Sequence, residues 1–253
     1  MTDAELTARL YANIRAFKLV QAEHGPLRTL ALPGVHAFAL PSRLHNLFQQ
    51  QVLYETPEAL GEALATLEAW YRSLRVHAWR VPVLPGDLAS EWLLARSGYR
   101  PEDTIPAMGL LLAHAPALPP GLALVRPDDL DEVLALNALA YGEEDVAFFQ
   151  AWRTAPLPSP ATPAVVLREG GRAVAGGVSF EQEGVAGIYL VATHPEARRR
   201  GLGAAVMHGL HADARARGCT AAVLQASLLG HGLYRHLGSR ELGAWTNWVR
   251  RTD

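Results

Sequence analysis

In the C-terminal half of the chain, hydrophobic residues recur in some segments at helical spacing and in others at every second position. This pattern predicts the helices and strands of that half. Residues 129–142 carry leucines at helical spacing after an Asp-rich start. Residues 164–169 and 172–182 alternate as strands do, with Gly170 and Gly171 between them in a hairpin position. A third strand, residues 185–193, ends at His194 and Pro195.

The pattern continues to the end of the chain. Residues 201–218 repeat alanines and leucines on a helical period, and Gly218 follows where a C-cap glycine belongs. A buried strand over 219–227, a short helix stopped by Gly238 and a final strand over 241–251 complete the half. Strands and helices in this order predict an α/β fold with α+β character, in which helices flank a mixed central sheet.

Composition limits the classes of function. The chain has 253 residues, 49% of them hydrophobic, and its 23 basic residues nearly balance 25 acidic ones. No global charge would steer it to nucleic acid or to an anionic membrane, so we expect neither partner. The N-terminal residues are polar and periodic, and we expect a cytoplasmic protein. A single cysteine, Cys219, excludes an internal disulfide framework, and its apolar neighbours favour an unreactive core thiol.

One Pro-rich segment divides the chain. Residues 114–121, HAPALPPG, hold three prolines and a glycine between two better-patterned regions. We predict one domain over residues 1–115, a linker over 116–121 and a second domain over 122–253.

The most informative segment lies where the strand GIYLVAT passes through HPEARRRGLG into the next helix. Unpaired backbone N–H groups at a helix start point at an anion on the helix axis. Gly201 and Gly203 would let the backbone approach a pyrophosphate, and Arg198, Arg199 and Arg200 could pair with its charge. The segment predicts a phosphate cradle.

Two familiar phosphate loops do not fit this cradle. A Walker loop ends in Gly-Lys-Ser/Thr, which is absent here. A dinucleotide fingerprint starting at Gly201 meets Val206 at its third glycine. The loop instead resembles the signature Arg/Gln-x-x-Gly-x-Gly/Ala of the GNAT superfamily of N-acetyltransferases, through Arg198, Gly201 and Gly203. The likeness extends over roughly residues 122–253.

This resemblance implies acetyl-CoA as acyl donor and assigns residues to its binding. In the family, the strand before the loop splays from its neighbour, so that free backbone groups bond the pantetheine arm. The corresponding cofactor-binding positions are Val191, Ala192, Thr193, Arg198, Arg199, Arg200, Gly201, Leu202, Gly203, Ala204 and Ser227.

The late family motif Asn-x-x-Ala-x-x-x-Tyr is only partly kept. Ser227 and Gly230 replace its first two residues, whereas Tyr234 is retained. The resemblance makes Tyr234 the catalytic general acid that protonates the departing CoA thiolate. The short Ser227, and Ser239 in place of the aromatic after Gly238, put a tight cofactor site in doubt.

The general base is left open. Five carboxylates lie near the motif in sequence and are candidates for the base: Glu143, Glu144, Asp145, Glu181 and Glu183. The alternative for each is a solvated loop residue without a catalytic role. No histidine has a metal-ligand spacing supported by cysteines or carboxylates, although His208 and His211 share a helix face, so we predict no metal.

The N-terminal half resembles a degenerate repeat of the C-terminal half. The sequence TPEA at Pro57 echoes HPEA at Pro195, and Gly98 takes the place of Gly238. Leu94 stands where the second copy has Tyr234. The arginine loop is missing and Glu62 follows instead, which is unfavourable for a phosphate. We therefore predict two GNAT-like domains, the first without a cofactor site. The alternative is coincidence, because a proline before a helix and a glycine after it are common in unrelated helices.

The sequence and the resemblance are compatible with three functions. The first is an acetyl-CoA-dependent N-acetyltransferase that acts on an amine by direct transfer in a ternary complex. The second is a non-catalytic regulatory module that binds acyl-CoA, and the third is a structural interaction domain. The resemblance implies a small-molecule or peptide amine as acceptor and allows a homodimer; the acceptor's identity, the acyl chain length and the role of the first half stay open.

Overall fold

A computed structural model describes residues 1–40, 47–113, 124–125, 130–141 and 162–252. The helices of these parts begin and end as follows: α1 Asp3–His24, α2 Pro57–Ser73, α3 Leu88–Arg96, α4 Asp131–Tyr141, α5 Leu202–Ala216 and α6 His231–His236. None of them is long and apolar enough to cross a bilayer. The predicted linker lies outside the described residues, and the domain boundaries stay a prediction.

One mixed sheet runs through the molecule. Its strands are β1 Arg28–Leu32, β2 Val35–Ala39, β3 Gln51–Tyr54, β4 Ala78–Val83, β5 Arg100–Leu111, β6 Leu124–Val125, β7 Ala164–Glu169, β8 Arg172–Gln182, β9 Val185–Thr193, β10 Ala221–Gln225 and β11 Arg240–Arg251. Their order in space is β1-β2-β3-β4-β11-β5-β10-β9-β8-β7-β6. The β3–β4 and β9–β10 pairs are parallel, and the other pairs are antiparallel. The predicted mixed α/β fold and the elements of the C-terminal half are confirmed.

The two halves repeat one order of elements. The order β1-β2-β3-α2-β4-α3-β5 returns as β7-β8-β9-α5-β10-α6-β11. The glycines that follow α3 and α6 match as well, because Gly98 and Gly238 both adopt positive φ, at 81° and 87°. The N–H of the residue after each glycine donates to the carbonyl of the matching helix residue, Leu94 or Tyr234.

The halves exchange their last strands. β5 ends the first half but pairs with β10 of the second, and β11 ends the second half but pairs with β4 of the first. β5 and β11 also pair with each other at the centre of the sheet. Their register is symmetric, since Arg100 faces Val249 while Arg240 faces Gly109. Each half therefore needs a strand from the other to complete its part of the sheet.

The helices divide between the two faces. On one face α2 and α3 cover a core of the first half, and α5 and α6 cover a core of the second. On the other face α1 and α4 cover a third core, in which Leu10 and Ile14 of α1 meet Val185 and Val223 of the second half. A helix of the first half thus covers strands of the second.

A buried polar contact fixes α1 in this place. The Asn13 amide donates to the carbonyls of Phe180 and Val185, at 3.1 and 3.3 Å, and its oxygen accepts from the Tyr189 hydroxyl at 2.6 Å. Gly187 makes the approach possible, because a Cβ there would lie 1.9 Å from the Asn13 oxygen. The ring of Phe17 stacks on Tyr189 with centroids 4.2 Å apart.

Candidate functional site

The site begins where β9 leaves its parallel neighbour. Pairing between β9 and β10 ends at Gly187 and Val223, whereas β9 continues to Thr193 alongside β8. The β10-facing edge of Val191, Ala192 and Thr193 is therefore outside any ladder of the described chain. A peptide-like arm could bond to such an edge as an added strand. The geometry is the splayed strand that the resemblance implied.

A bulge interrupts β9 on its other side. Gly176 faces Ala192 and Val178 faces Tyr189, so two residues of β9, Leu190 and Val191, lie opposite one of β8. Leu190 has a φ of 55°, a strained value for a branched aliphatic residue. The backbone of Val191 thus lies outside the regular ladder.

One side chain that the sequence reading missed holds the bulge. Asn137 of α4 is fully buried and donates to the carbonyls of Leu190 and Val133, at 2.7 and 2.8 Å. A lone amide in the otherwise apolar run LALNALAY was the available signal. Its hydrogen bond to Leu190 turns that carbonyl toward the helix.

The loop after β9 leads into an uncapped helix. A short 3-10 turn, Pro195–Ala197, is followed by Arg199 with φ of 61° and Gly201 with φ of 77°. Gly201 is the N-cap of α5 and supplies no side-chain hydrogen bond. The first N–H groups of α5 are left for another acceptor, at the positive end of the helix dipole. A Cβ at Gly201 would meet no atom of the described residues within 4 Å. Open space and free donors together fit a phosphate group.

The three arginines of the loop have different neighbours. Arg200 forms a bidentate ion pair with Glu169, at 2.7 and 3.0 Å. Arg198 donates to the Thr193 carbonyl at 3.5 Å. Within the described parts of the chain, neither Arg198 nor Arg199 has a carboxylate partner. These two are the better candidates to neutralise a bound anion.

Three predicted site elements meet at Gly203. A Cβ there would lie 3.2 Å from a methyl group of Leu233 and 3.6 Å from the Thr193 hydroxyl. The start of α5, the end of β9 and α6 are therefore in contact at this point. We expected Gly203 to make room for a pyrophosphate; the structure shows that the space beside its Cα is filled by Leu233.

Tyr234 lies beside this junction and is buried in the core of the second half. Its ring packs against the backbone of Gly230, where a Cβ would be 2.8 Å from Cε2 and 3.2 Å from Cζ. The Ser227 hydroxyl accepts from the Gly230 N–H at 3.2 Å and so stabilises the turn into α6. The structure brings Ser227, Gly230 and Tyr234 together as the sequence motif suggested.

The two described candidates for general base lie at the wrong end of β9. Glu181 accepts from Arg217 at 2.8 Å, and Glu183 pairs with Arg9, both beside the turn that enters β9. The six residue-to-residue steps from Val185 to Val191 along the strand span roughly 20 Å. Glu181 and Glu183 therefore cannot reach the splayed end. The other three candidates, Glu143, Glu144 and Asp145, lie outside the described residues.

Two titratable groups of the second half, His211 and Cys219, are buried in the core. Burial lowers the pKa of His211 to about 4, helped by neighbouring His208, so the ring is neutral at pH 7. Burial raises the pKa of Cys219 to about 11, and the charge of Glu181 adds to the effect. Across the described ranges, no three His, Cys, Asp or Glu side chains converge as a metal site would require.

The matching position in the first half differs in its helix start and in its strand pairing. Thr56 caps α2 by accepting from the Ala59 N–H, Pro57 has no N–H to offer, and Glu58 adds a negative charge. β2 and β3 pair without a bulge. Glu62, which we expected at the phosphate position, lies in the second turn of α2 instead.

Comparison with known proteins agrees with this geometry. The model of the acetyltransferase (GNAT) family matches residues 130–238, which include the splayed strand, the loop and Tyr234. This segment belongs to the GNAT family. No curated protein sequence matched the chain.

Solved structures extend the GNAT fold over the whole chain. A GCN5-related N-acetyltransferase from Kribbella flavida is 18% identical, with 97% of this chain and 96% of that one covered at a TM-score of 0.69. Another from Sphaerobacter thermophilus is 20% identical, with coverage of 99% and 94% and a TM-score of 0.61. A tandem GNAT protein from the clavulanic acid biosynthesis pathway is 14% identical, with 97% of each chain covered and a TM-score of 0.56. These likenesses concern the fold.

Proposed function

We propose that the chain is an acetyl-CoA-dependent N-acetyltransferase that transfers an acetyl group directly to the amine of a small molecule or peptide. One observation carries the proposal: the uncapped N-terminus of α5, with open space at Gly201, adjoins the unpaired edge of β9. A helix start that binds a pyrophosphate beside a strand edge that binds an amide-rich arm fits the two chemical parts of CoA.

Each part of the site has a distinct task. Acetyl-CoA would supply an activated acyl group as a thioester. The backbone of Val191, Ala192 and Thr193 orients this thioester, and the loop residues Arg198 to Ala204 hold the pyrophosphate. The neutral acceptor nitrogen attacks the carbonyl carbon, the carbon–sulfur bond breaks, and Tyr234 donates its phenolic proton to the departing thiolate. The proton that the acceptor nitrogen loses passes to solvent, and solvent reprotonates Tyr234.

A second candidate is a module that binds acyl-CoA without turnover. Two observations favour it. Ser227 uses its hydroxyl to accept from Gly230, and neither Glu181 nor Glu183 can act as base. Isothermal titration with acetyl-CoA followed by a thiol-release assay over a panel of amines separates the candidates. Binding with thiol release supports the enzyme, binding without release over the panel supports the module, and absence of binding refutes both.

We predict that Gly201→Glu abolishes CoA binding. The carboxylate would enter the open space at the helix start and repel the pyrophosphate. Any side chain at a φ of 77° costs about 1–2 kcal/mol, so Gly201→Gln is the matched control with equal size and strain but no charge. Titration calorimetry should give a dissociation constant at least about tenfold weaker for Glu than for Gln, from about 1.4 kcal/mol of repulsion. Equal affinities of the two folded variants would show that the anion binds elsewhere.

A second prediction concerns stoichiometry: the chain should bind one CoA. The first half offers a capped α2 that begins with Pro57 and Glu58, and its β3 lacks a bulge. Calorimetric titration of the full chain should therefore saturate at one equivalent. Saturation at two equivalents would show that the first half keeps a cofactor site.

A further inference from the structure

Two cations are buried close together in the N-terminal half. Lys18 of α1 and Arg80 of β4 are only 3% and 6% exposed. The Lys18 ammonium donates to the Phe48 carbonyl and to the Gln49 side chain, both at 2.8 Å. Arg80 donates to the Gln51 side-chain oxygen at 3.1 Å. All of these acceptors are neutral, so neither positive charge is balanced by its hydrogen bonds.

One aromatic ring contacts both cations. The centroid of Phe48 lies 5.3 Å from the Lys18 nitrogen and 5.0 Å from the Arg80 guanidinium carbon. Phe48 is itself 40% exposed. A partly exposed ring therefore lies next to both charges.

Among the residues that the structure describes, the two charges also lack a bonded carboxylate. Burial, with the charge of Arg80, lowers the pKa of Lys18 well below its usual range. Burial lowers the pKa of Arg80 to about 10, although the more distant Asp103 acts in the opposite direction. Asp103 accepts from Asn247 and forms no ion pair with Arg80 within the described chain. Buried charges in proteins are normally paired, so this pair is electrostatically incomplete.

Donors exceed acceptors in the same place. Arg80 Nε and Gln51 Nε2 are buried and have no acceptor in the part of the chain that the structure describes. Unsatisfied buried donors are uncommon, and each costs free energy. A ligand that completes this cluster has to bring acceptors and negative charge.

The fold does not require these residues. Gln51 and Arg80 are the paired residues of the parallel strands β3 and β4. At the equivalent place in the second half the last parallel pair is Gly187 and Val223. The same architecture is thus built there without a charge or an amide.

We propose that Lys18, Arg80 and Gln51 form a binding site for an oxyanion, the carboxylate or phosphate group of a small ligand. The anion would accept from Arg80 Nε and Gln51 Nε2 and lie next to the Lys18 ammonium. This site belongs to the N-terminal half and does not depend on CoA binding in the C-terminal half.

The test compares thermal unfolding in sodium phosphate, sodium acetate and sodium chloride at equal ionic strength. Phosphate or acetate should raise the Tm by about 5–10 °C at about one hundred times Kd, and the stronger of the two identifies the preferred group. Lys18→Met should have a higher Tm than the unmodified protein in chloride, because it removes an unbalanced buried charge. The same variant should lose the response to the anion.

Two control variants locate the response. Arg28→Gln removes an exposed cation of the same half, and Arg199→Gln removes a loop cation of the candidate CoA site; both should keep the response to the anion. Arg80→Gln serves as a second test if Lys18→Met does not fold. No anion response in the unmodified protein, or a response that survives both Lys18→Met and Arg80→Gln, overturns the proposal.

Discussion

A fragment of residues 122–253 alone will not adopt the structure that these residues have in the full chain. In that fragment β10 loses its antiparallel partner β5, and β11 loses both β4 and β5. Unpaired strand edges expose backbone donors and acceptors and favour aggregation. The fragment also loses α1, which covers Val185 and Val223 and bonds the carbonyls of Phe180 and Val185 through Asn13.

Circular dichroism and thermal melting check this result. The fragment should lack the cooperative transition of the full chain. Co-expression of residues 1–121 as a separate chain is the control, since it restores every missing strand without a covalent link. A fragment that melted cooperatively by itself and bound acetyl-CoA with the affinity of the full chain would contradict the expectation.

The second large effect is expected from Tyr234→Phe. The substitution keeps the ring that packs in the core of the second half and removes only the hydroxyl. If the phenol protonates the departing thiolate, kcat should fall by about 10²- to 10⁴-fold while acetyl-CoA affinity stays nearly unchanged. The loss should shrink with a CoA analogue whose thiol is more acidic, because such a thiol leaves without help. An unchanged turnover under conditions where chemistry is rate-limiting would make Tyr234 a packing residue.

A neighbouring pair of glycines gives this test its control. In Gly230→Ala the new methyl would press on the Tyr234 ring, whereas in Gly232→Ala it would meet no atom of the described part of the chain within 4 Å. Displacement of the phenol should cost about 10- to 100-fold in kcat for Gly230→Ala and little for Gly232→Ala. In the Tyr234→Phe background Gly230→Ala should cost nothing further, since the two changes act through one hydroxyl.

Local pattern predicted most of the C-terminal half. The helices α5 and α6, for example, are each followed by a glycine with positive φ, Gly218 and Gly238, whose effect is local. The exchange of β5 and β11 could not be predicted in this way. Both strands carry an ordinary strand pattern, and which distant edge each one joins is decided by register and by the core beneath α1.

The sequence indicated the motif residues of the candidate site but not the residues that pack around them. The loop, the splayed strand and Tyr234 are close in sequence to recognisable signals. Asn137 and Gly187 contribute through contacts with distant residues, Leu190 and Asn13, that no spacing reveals. Glu181 and Glu183 were candidates because they are near in sequence, but an extended strand separates them from the site.

The shared central strands have a consequence for how variants of this protein would be interpreted in cells. A destabilising substitution in the first half would lower the amount of folded protein and so reduce total activity, even though it touches no reacting atom. A screen scored by growth or product yield would then assign importance to both halves alike. Only the turnover per folded molecule would separate residues that do the chemistry from residues that keep the protein abundant.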